Sequence, residues 1–349
     1  MRDLHVIDVS ATLHGGIRGH FGDNNSHGFP TGGIFNTLKI LNKKTIDVHQ
    51  DRFVFCFDRT TRVSTDSEGN RVGYKQGRKK WTKGMYYQAK LLEEMLMKMG
   101  FPVVYQTDRE ADECIYNVVK RYIKDFRHVY IYGTDRDLAC CVTPKSSLAS
   151  TNSNVPDVTY QNYTSVLGGT DYIPYNAILL YKIFRMDTSD KLGVIVTPRE
   201  WEKLIQDLKE ANFPLHQLNT AKALQFVIQN YNCTEEMKQK LWERYELVMP
   251  RDVNVDIDFT KPYNLDIMEK YCSLLSIAQF PKKFGVQITG TIHRDWYDSL
   301  LSLTEEINEE LRELSIENPK IKIAKPYSYK GFNIDETPLG YTFFETYWR

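Results

Sequence analysis

Four aspartates follow apolar stretches of the sequence, where their side chains could act together on a divalent cation. Asp8 ends "LHVID", Asp58 ends "RFVFCFD", and Asp135 and Asp137 follow "HVYIYG". An acid that ends a buried stretch must be hydrated, paired or bound to a cation, because a lone charge is costly to bury. Two Mg²⁺ or Mn²⁺ ions about 3.5–4 Å apart, held by carboxylates, can clamp a phosphate and activate a water.

Two further acidic clusters extend this set. One lies in "TDREADECI" and the other in "FRMDTSDKLGV". No histidine or cysteine accompanies the acids as a ligand pattern, so the set suits hard cations that prefer oxygen ligands. The predicted metal ligands are Asp8, Asp58, Glu110, Asp112, Glu113, Asp135, Asp137, Asp187 and Asp190.

Each acid also has a purely structural interpretation. Thr107 with Glu110 fits a T-x-x-E capping box, and Thr134 with Asp137 fits the analogous T-x-x-D pattern. The remaining acids could lie on solvated faces. Convergence of all the groups at one edge of a sheet would favour cations instead, since like charges that close repel unless they are neutralised.

A basic stretch follows the second apolar segment. Residues 71–83, "RVGYKQGRKKWTK", carry six basic side chains and no acid. Such a run is usually a solvated loop, but aromatic rings among cations also suit the phosphates and stacked bases of single strands. We expect residues 60–84 to be a mobile arm that docks on nucleic acid. Its predicted contacts are Arg71, Tyr74, Lys79, Lys80, Trp81 and Lys83.

Short strand patterns alternate with helical patterns in the first half of the chain. This alternation predicts an α/β fold, with a mostly parallel central sheet flanked by helices. In such a sheet the carboxyl ends of the strands meet at one edge, where ligands bind. The predicted strands are at 4–9, 52–58 and 128–135, and the predicted helices at 31–44, 86–100 and 110–125.

The pattern becomes helical beyond residue 195. Thr197 and Glu200, with Pro198 between them, resemble a capping box with proline at the first helical position. We therefore predict an α/β core at 1–195, which includes the basic arm, and a mostly helical region at 196–349. Further helical patterns lie at 219–231, 233–248 and 292–319.

The composition indicates the cellular compartment of the protein but not its binding partner. Lysine plus arginine and aspartate plus glutamate are each 45, so net charge predicts no partner. The six cysteines show no CxxC spacing and are expected to be reduced thiols. The first residues lack the apolar region of a signal peptide, and no run of about 18 apolar residues occurs. We expect a soluble, cytoplasmic protein with no membrane partner.

The order of these motifs resembles that of the 5′-nuclease family. The family includes flap endonucleases, phage 5′–3′ exonucleases and the 5′-nuclease domain of bacterial DNA polymerase I. The similarity covers roughly residues 4 to 195, with a fainter similarity to about 285. The matching segments are, in order, "VIDVS", "HGFPTGGIFNTLKIL", "FVFCFD", "YKQGR", "MGFPVVYQTDREADE", "GTDRDLACCVTP" and "RMDTSDKLGV".

The resemblance implies a PIN-like core and a structure-specific 5′-nuclease. Its activities would be those of a 5′–3′ exonuclease and a flap endonuclease, acting on DNA or RNA-primed DNA and leaving 5′-phosphates. Two or more Mg²⁺ or Mn²⁺ ions are implied. One ion would be served by Asp8, Asp58, Glu110, Asp112 and Asp135. The second would be served by Asp137, Asp187 and Asp190, with Glu113 or its waters.

Two basic residues gain a catalytic role from the resemblance. Lys75 and Arg78 match the family's Y-K-x-x-R and would offset charge on the phosphoryl oxygens. The family's glycine-rich hairpin, which grips duplex DNA and can bind K⁺, is reduced here to Gly193 before a capped helix. We expect Thr197 and Arg199 to contact phosphates there, and the sequence leaves K⁺ binding open.

The expected partners are DNA with a 5′ flap or 5′ end and RNA–DNA hybrids, bound by a monomer. Removal of primers or flaps in replication or repair is the implied biology, in the host cytoplasm if a phage encodes the chain. Two alternatives stay open, a PIN-type ribonuclease and a non-catalytic protein that binds DNA junctions. An aspartyl phosphatase is disfavoured, because "VIDVSAT" lacks a second aspartate two residues after the first.

Overall fold

The fold is organised around a parallel β-sheet. In a computed structural model of the chain, the described residues are 2–19, 28–59, 64–65, 71–72, 82–150, 155–167, 172–185, 194–215, 218–317 and 333–335. The strands are β1 (Leu4–Asp8), β2 (Arg52–Cys56), β3 (Ser64–Thr65), β4 (Arg71–Val72), β5 (Val103–Val104), β6 (Val129–Tyr132), β7 (Ser146–Leu148), β8 (Thr291–His293) and β9 (Asn333–Asp335). Five of them form one sheet in the order β5-β2-β1-β6-β7.

All pairings in this sheet are parallel. Asp8 lies opposite Cys56 of β2, and Ile7 lies opposite Tyr132 of β6. The three central strands therefore end at the same edge, which we call the carboxyl edge. Strands β3 with β4 and β8 with β9 form two separate two-stranded pairs.

Eleven α-helices occur in the described part of the chain. They are α1 (Val9–Gly19), α2 (Gly32–Leu38), α3 (Lys83–Lys98), α4 (Ala111–Tyr122), α5 (Tyr163–Leu167), α6 (Ile178–Arg185), α7 (Pro198–Glu210), α8 (Thr220–Asn230), α9 (Glu235–Val248), α10 (Leu265–Leu274) and α11 (Arg294–Glu317). Within the described ranges, 3₁₀ helices also span Lys39–Asn42, Arg136–Cys141 and Pro281–Phe284.

Both faces of the sheet are covered by helices, as the predicted fold class requires. Successive side chains of a strand point to opposite faces. Leu4 and Val6 enter a core with α4, whereas Ile7 enters a core with α2, α3, α10 and α11. The prediction of a parallel α/β sheet flanked by helices is confirmed.

Helix α1 was not predicted, because Gly15 and Gly16 lower the helical propensity of its sequence. The packing explains the second of these glycines. A Cβ atom at Gly16 would lie 2.4 Å from the carbonyl oxygen of Gly32. Helices α1 and α2 can therefore approach this closely only with glycine at residue 16.

Elements before and after residue 195 share two hydrophobic cores. Helix α6, which precedes it, shares a core with α7, α8 and α9. Helices α10 and α11, which follow it, complete the core against α2 and α3, with the Tyr271 and Trp296 rings 4.9 Å apart between centroids. The division into 1–195 and 196–349 stays a prediction.

All six cysteines are free, in agreement with the predicted reduced thiols. The Sγ atoms of the adjacent Cys140 and Cys141 lie 3.7 Å apart, too far for a disulfide. Of the helices in the described ranges, none combines the length and the apolar character needed to cross a membrane.

Candidate active site

Three aspartates meet at the carboxyl edge. Asp8 is the last residue of β1, while Asp58 and Asp135 lie a few residues beyond the ends of β2 and β6. Burial, followed by the nearby carboxylates of Asp58 and Asp135, raises the pKa of Asp8 to about 7. The structure thus brings these three predicted ligands close enough for their charges to repel one another.

The turn after β6 depends on Gly133. A Cβ atom there would lie 2.3 Å from Leu138 Cδ1 and 3.4 Å from Asp8 Cβ. Glycine therefore lets the chain turn tightly beside Asp8. Asp135 then begins the 3₁₀ helix, because its Oδ1 accepts a hydrogen bond from the Asp137 N–H at 3.0 Å. The alternative cap at Thr134 is wrong, since Asp135 occupies the N-cap position.

Asp58 connects the carboxyl edge to helix α4. Its Oδ1 accepts a hydrogen bond of 2.7 Å from the N–H of Ala111, the first residue of α4. The N-cap is Glu110, whose N–H donates to Glu113 Oε2 at 2.9 Å. The alternative box starting at Thr107 is therefore wrong, and the acids predicted as ligands themselves begin the helix.

Glu113 forms an ion pair with Arg251. The carboxylate is almost fully buried and accepts from Arg251 Nε at 2.8 Å and Nη2 at 3.0 Å. Its Oε1 also accepts from the backbone N–H of Arg251 at 3.0 Å. Both oxygens are thus engaged by protein groups, and a role for Glu113 at a metal stays a prediction.

Asp137 forms an ion pair with Lys182 of α6. Both line a cavity of about 30 Å³, which we call the acidic cavity. Its walls are formed by Glu110, Asp112, Glu113, Asp137, Leu138, Cys140, Leu179, Lys182 and residues 247–250. The structure therefore places Glu110 and Asp112, which the resemblance assigns to the first ion, around one cavity with Asp137, which it assigns to the second. The division of the ligands between two ions stays a prediction.

Several predicted site residues lie outside the described residues. They are Tyr74, Lys75, Arg78, Lys79, Lys80, Trp81, Asp187 and Asp190. For Arg71 only the backbone, in β4, is described. Lys83 is exposed at the start of α3, and its N–H donates to Glu310 Oε2 at 2.7 Å.

The predicted capping box of α7 is confirmed. The Thr197 N–H donates to Glu200 Oε2 at 2.7 Å, and the Glu200 N–H donates to Thr197 Oγ1 at 3.3 Å. Arg199 is exposed in the first turn. Contacts of Thr197 and Arg199 with phosphates stay predictions.

The residues present fit cations by their chemistry rather than by a preformed cage. Within the described ranges, no three His, Cys, Asp or Glu side chains are grouped so that they could hold a metal ion. Burial and the neighbouring carboxylates raise the pKa of Asp8, and an ammonium group lies beside Asp137, so positive charge would stabilise the ionised acids of both groups.

Sequence reasoning missed Lys182 and Arg251. Lys182 had a signal, because it interrupts the apolar helix "AILLYKIF", where a charge must be paired when it is buried. Arg251 had no local signal, since its partner Glu113 is 138 residues away.

Comparison with known proteins agrees with this geometry. The family model for the amino-terminal, resolvase-like domain of 5′-3′ exonucleases matches residues 3–166. A curated 5′-3′ exonuclease of Aquifex aeolicus (strain VF5) is 26% identical over 138 residues, which are 40% of this chain and 47% of that protein. The chain thus spans about half the length of the curated relative it matches.

Solved structures with similar folds were also found. The crystal structure of a T5 protein co-crystallised with metal ions has a TM-score of 0.50 and 14% identity, over 88% of this chain and 99% of that chain. Human GEN1 in complex with Holliday junction DNA has a TM-score of 0.46 and 14% identity, over 90% and 74% of the two chains. The first of these likenesses supports the fold.

Proposed function

We propose, from the match of residues 3–166 to the 5′-3′ exonuclease family model, that the chain is a divalent-metal-dependent, structure-specific 5′-nuclease of that family. It would hydrolyse phosphodiesters of DNA or RNA-primed DNA at a 5′ flap or from a 5′ end, leaving 5′-phosphates. The observation that carries the proposal is the meeting of Asp8, Asp58 and Asp135 at the carboxyl edge, where burial and the two neighbouring carboxylates raise the pKa of Asp8.

The chain's own groups orient these carboxylates. The Ala11 N–H donates to Asp8 Oδ1 at 2.9 Å, and the Ala111 N–H donates to Asp58 Oδ1 at 2.7 Å. One oxygen of each aspartate is thereby fixed at the start of a helix, where partial positive charge stabilises the anion. Bound Mg²⁺ or Mn²⁺ would supply charge for the phosphate and the leaving oxygen and would activate a water.

The basic arm is proposed to bring the phosphate to this edge. It follows β2, which ends at the carboxyl edge, and it precedes α3. Because α3 leads to β5, which runs parallel to β2, the first turn of α3 lies on the side of the carboxyl edge. Lys75 and Arg78 would then offset the charge that develops on the phosphoryl oxygens.

A cleavage assay tests the proposal. The full chain is incubated with a labelled 5′-flap duplex in EDTA and with increasing Mg²⁺, and the cut position is mapped. We expect Mg²⁺-dependent cleavage near the junction with a 5′-phosphate on the product. Binding without cleavage would indicate a junction-binding protein, and cleavage of all-RNA strands alone would indicate a ribonuclease. Action as a cytoplasmic monomer on primers or flaps in replication or repair is part of the proposal.

A further inference from the structure

Lys182 is a buried cation beside the site. The residue is 8% exposed, and its ammonium group pairs with Asp137, whose side chain is 20% exposed. Its helical neighbours Leu179 and Ile183 are buried in apolar cores. Burial of an ammonium group costs several kcal/mol unless a well-placed anion compensates it. The position of this charge is thus set by the packing of α6 against the 3₁₀ helix that carries Asp137.

The acidic cavity around this pair has the size of an ion site. A volume of about 30 Å³ holds roughly two waters, at about 10–15 Å³ for each water-sized probe, and is too small for a nucleotide. Four carboxylates line it, those of Glu110, Asp112, Glu113 and Asp137. Arg251 offsets the charge of Glu113, and Lys182 offsets the charge of Asp137.

The three aspartates of the carboxyl edge differ from the acidic cavity in their ion pairs. In the part of the chain that the structure describes, no basic side chain forms an ion pair with Asp8, Asp58 or Asp135. Protein cations are thus paired with two of the four carboxylates of the acidic cavity, Glu113 and Asp137, whereas none of the described basic side chains is paired with an aspartate of the carboxyl edge.

We infer that Lys182 is a built-in cation that takes the place of a second divalent ion at Asp137. In the absence of nucleic acid, the chain would then bind one divalent ion tightly, at Asp8, Asp58 and Asp135. The ammonium group carries one positive charge and, unlike a bound metal ion, cannot dissociate from the protein. It therefore compensates the charge of Asp137 when no second ion is bound. The inference rests on the proposed function and specifies how that site balances its charge.

Removal of this ammonium group tests the inference. Mn²⁺ is titrated into the full chain without nucleic acid, and bound ions are counted by electron paramagnetic resonance and calorimetry. We expect one tightly bound ion in the wild type and a second in Lys182→Met, bound at least about tenfold more tightly than any second ion of the wild type. Lys182→Arg keeps the charge and should behave like the wild type. Lys124→Met removes an exposed lysine before β6, at the opposite edge of the sheet, and should change nothing.

An unchanged ion count and affinity in folded Lys182→Met would overturn the inference and leave Lys182 as a structural ion pair. If Lys182→Met does not fold, Lys182→Gln serves instead, because glutamine keeps a polar group in the acidic cavity without the charge. This variant should likewise gain a second Mn²⁺, and an unchanged ion count in it would equally refute the inference.

Cleavage of a 5′-flap duplex by the same wild-type preparation separates the two proposals. Wild-type protein that binds one Mn²⁺ and gains a second on Lys182→Met, yet does not cleave, refutes the nuclease and leaves the built-in cation. Wild-type protein that cleaves, with no second ion in Lys182→Met, refutes only the built-in cation.

Discussion

At the scale of single residues, Asp135 combines a charge with a helix cap. Its carboxylate adds to burial and to Asp58 in raising the pKa of Asp8, and its Oδ1 accepts the Asp137 N–H at 3.0 Å. Asparagine also caps helices well, so the two roles can be separated. We expect Asp135→Asn to lower Mg²⁺-dependent cleavage by at least about 100-fold, the loss typical of one removed electrostatic group, with DNA affinity and thermal stability retained.

Asp135→Ala is the matched variant, because it removes the cap as well as the charge. It should lose about 1 kcal/mol of stability in addition to activity. Unfolding of Asp135→Asn would reduce Asp135 to a structural cap, and an unchanged cleavage rate would remove it from the site.

The raised pKa of Asp8 predicts how the stability of the metal-free protein depends on pH. Between about pH 4 and 7, folded Asp8 holds a proton that the unfolded chain has lost, since its ordinary pKa is 3.8. Stability therefore falls as pH rises through this range. Asparagine cannot ionise, so in EDTA at pH 8 we expect Asp8→Asn to exceed the wild type by more than about 1 kcal/mol in urea unfolding, and by much less at pH 4.

When Mg²⁺ replaces EDTA at pH 8, we expect the wild type to become more stable to urea than Asp8→Asn. Bound Mg²⁺ would stabilise the ionised carboxylates of the wild type, whereas Asp8→Asn lacks one of the proposed ligands. If the free energy of unfolding of the two proteins depended equally on pH in EDTA, the ionisation of Asp8 would not destabilise the fold.

Lys75 is predicted to act on the phosphate. Lys75→Ala should lower the single-turnover cleavage rate at least about tenfold, a modest part of what a charged clamp supplies in phosphoryl transfer. Lys124→Ala, which removes an exposed lysine far from the carboxyl edge, is the control and should cleave normally. Equal rates for the two variants would exclude Lys75 from the mechanism.

At the scale of elements, the extended segment 250–259 is held along helix α4. Asn117 Nδ2 donates to the carbonyl oxygen of Arg251 at 2.9 Å, and the Ile257 N–H donates to the Tyr122 hydroxyl at 2.8 Å. The side chains of Val253 and Val255 enter the core that α4 shares with the sheet. Arg251 completes this contact at the first turn of α4, beside the acidic cavity.

Arg251→Met should therefore destabilise the fold. Glu113, which is 3% exposed, would keep a buried charge without its partner, so we expect a loss of about 2 kcal/mol or more in the free energy of unfolding. The double variant Arg251→Met/Glu113→Gln removes both charges and should recover more than half of that loss. No recovery would mean that the packing of Arg251, rather than its charge, supports the segment.

At the scale of the whole molecule, the carboxyl-terminal helices complete the first core. Helix α11 lies against α3, where the Tyr87 hydroxyl donates to Glu306. Trp296 is 1% exposed and packs in the same core as Ile7 and Phe55 of the sheet. Helix α11, to which the sequence assigned no role, thus supports the start of α3, immediately after the basic arm.

Trp296→Ala should weaken the entire fold for this reason. We expect a loss of about 3–5 kcal/mol in the free energy of unfolding, the usual cost of truncating a buried aromatic side chain. Trp242, which is 40% exposed, is the control, and Trp242→Ala should change stability by less than about 0.5 kcal/mol. A small effect of Trp296→Ala would show that α11 is dispensable to the core.

The sequence by itself determined the sheet and its acidic edge. Strand and helix periodicity are properties of neighbouring residues, so β1, β2, β6, α3 and α4 could be predicted from local pattern. Parallel connection then placed the strand ends together, which is why Asp8, Asp58 and Asp135 could be expected to meet. Helix α1 and strand β7 escaped, because two glycines and a polar "SSL" obscure their patterns.

Only the tertiary structure decided which cation each acid meets. Lys182 and Asp137 are 45 residues apart, and Arg251 and Glu113 are 138 apart. No local sequence pattern relates such partners. They come into contact because α6, which carries Lys182, and segment 250–259, which carries Arg251, pack against the elements of the five-stranded sheet. The energy of a charge is fixed by its surroundings in three dimensions, so the balance of charge at this site follows from packing rather than from sequence spacing.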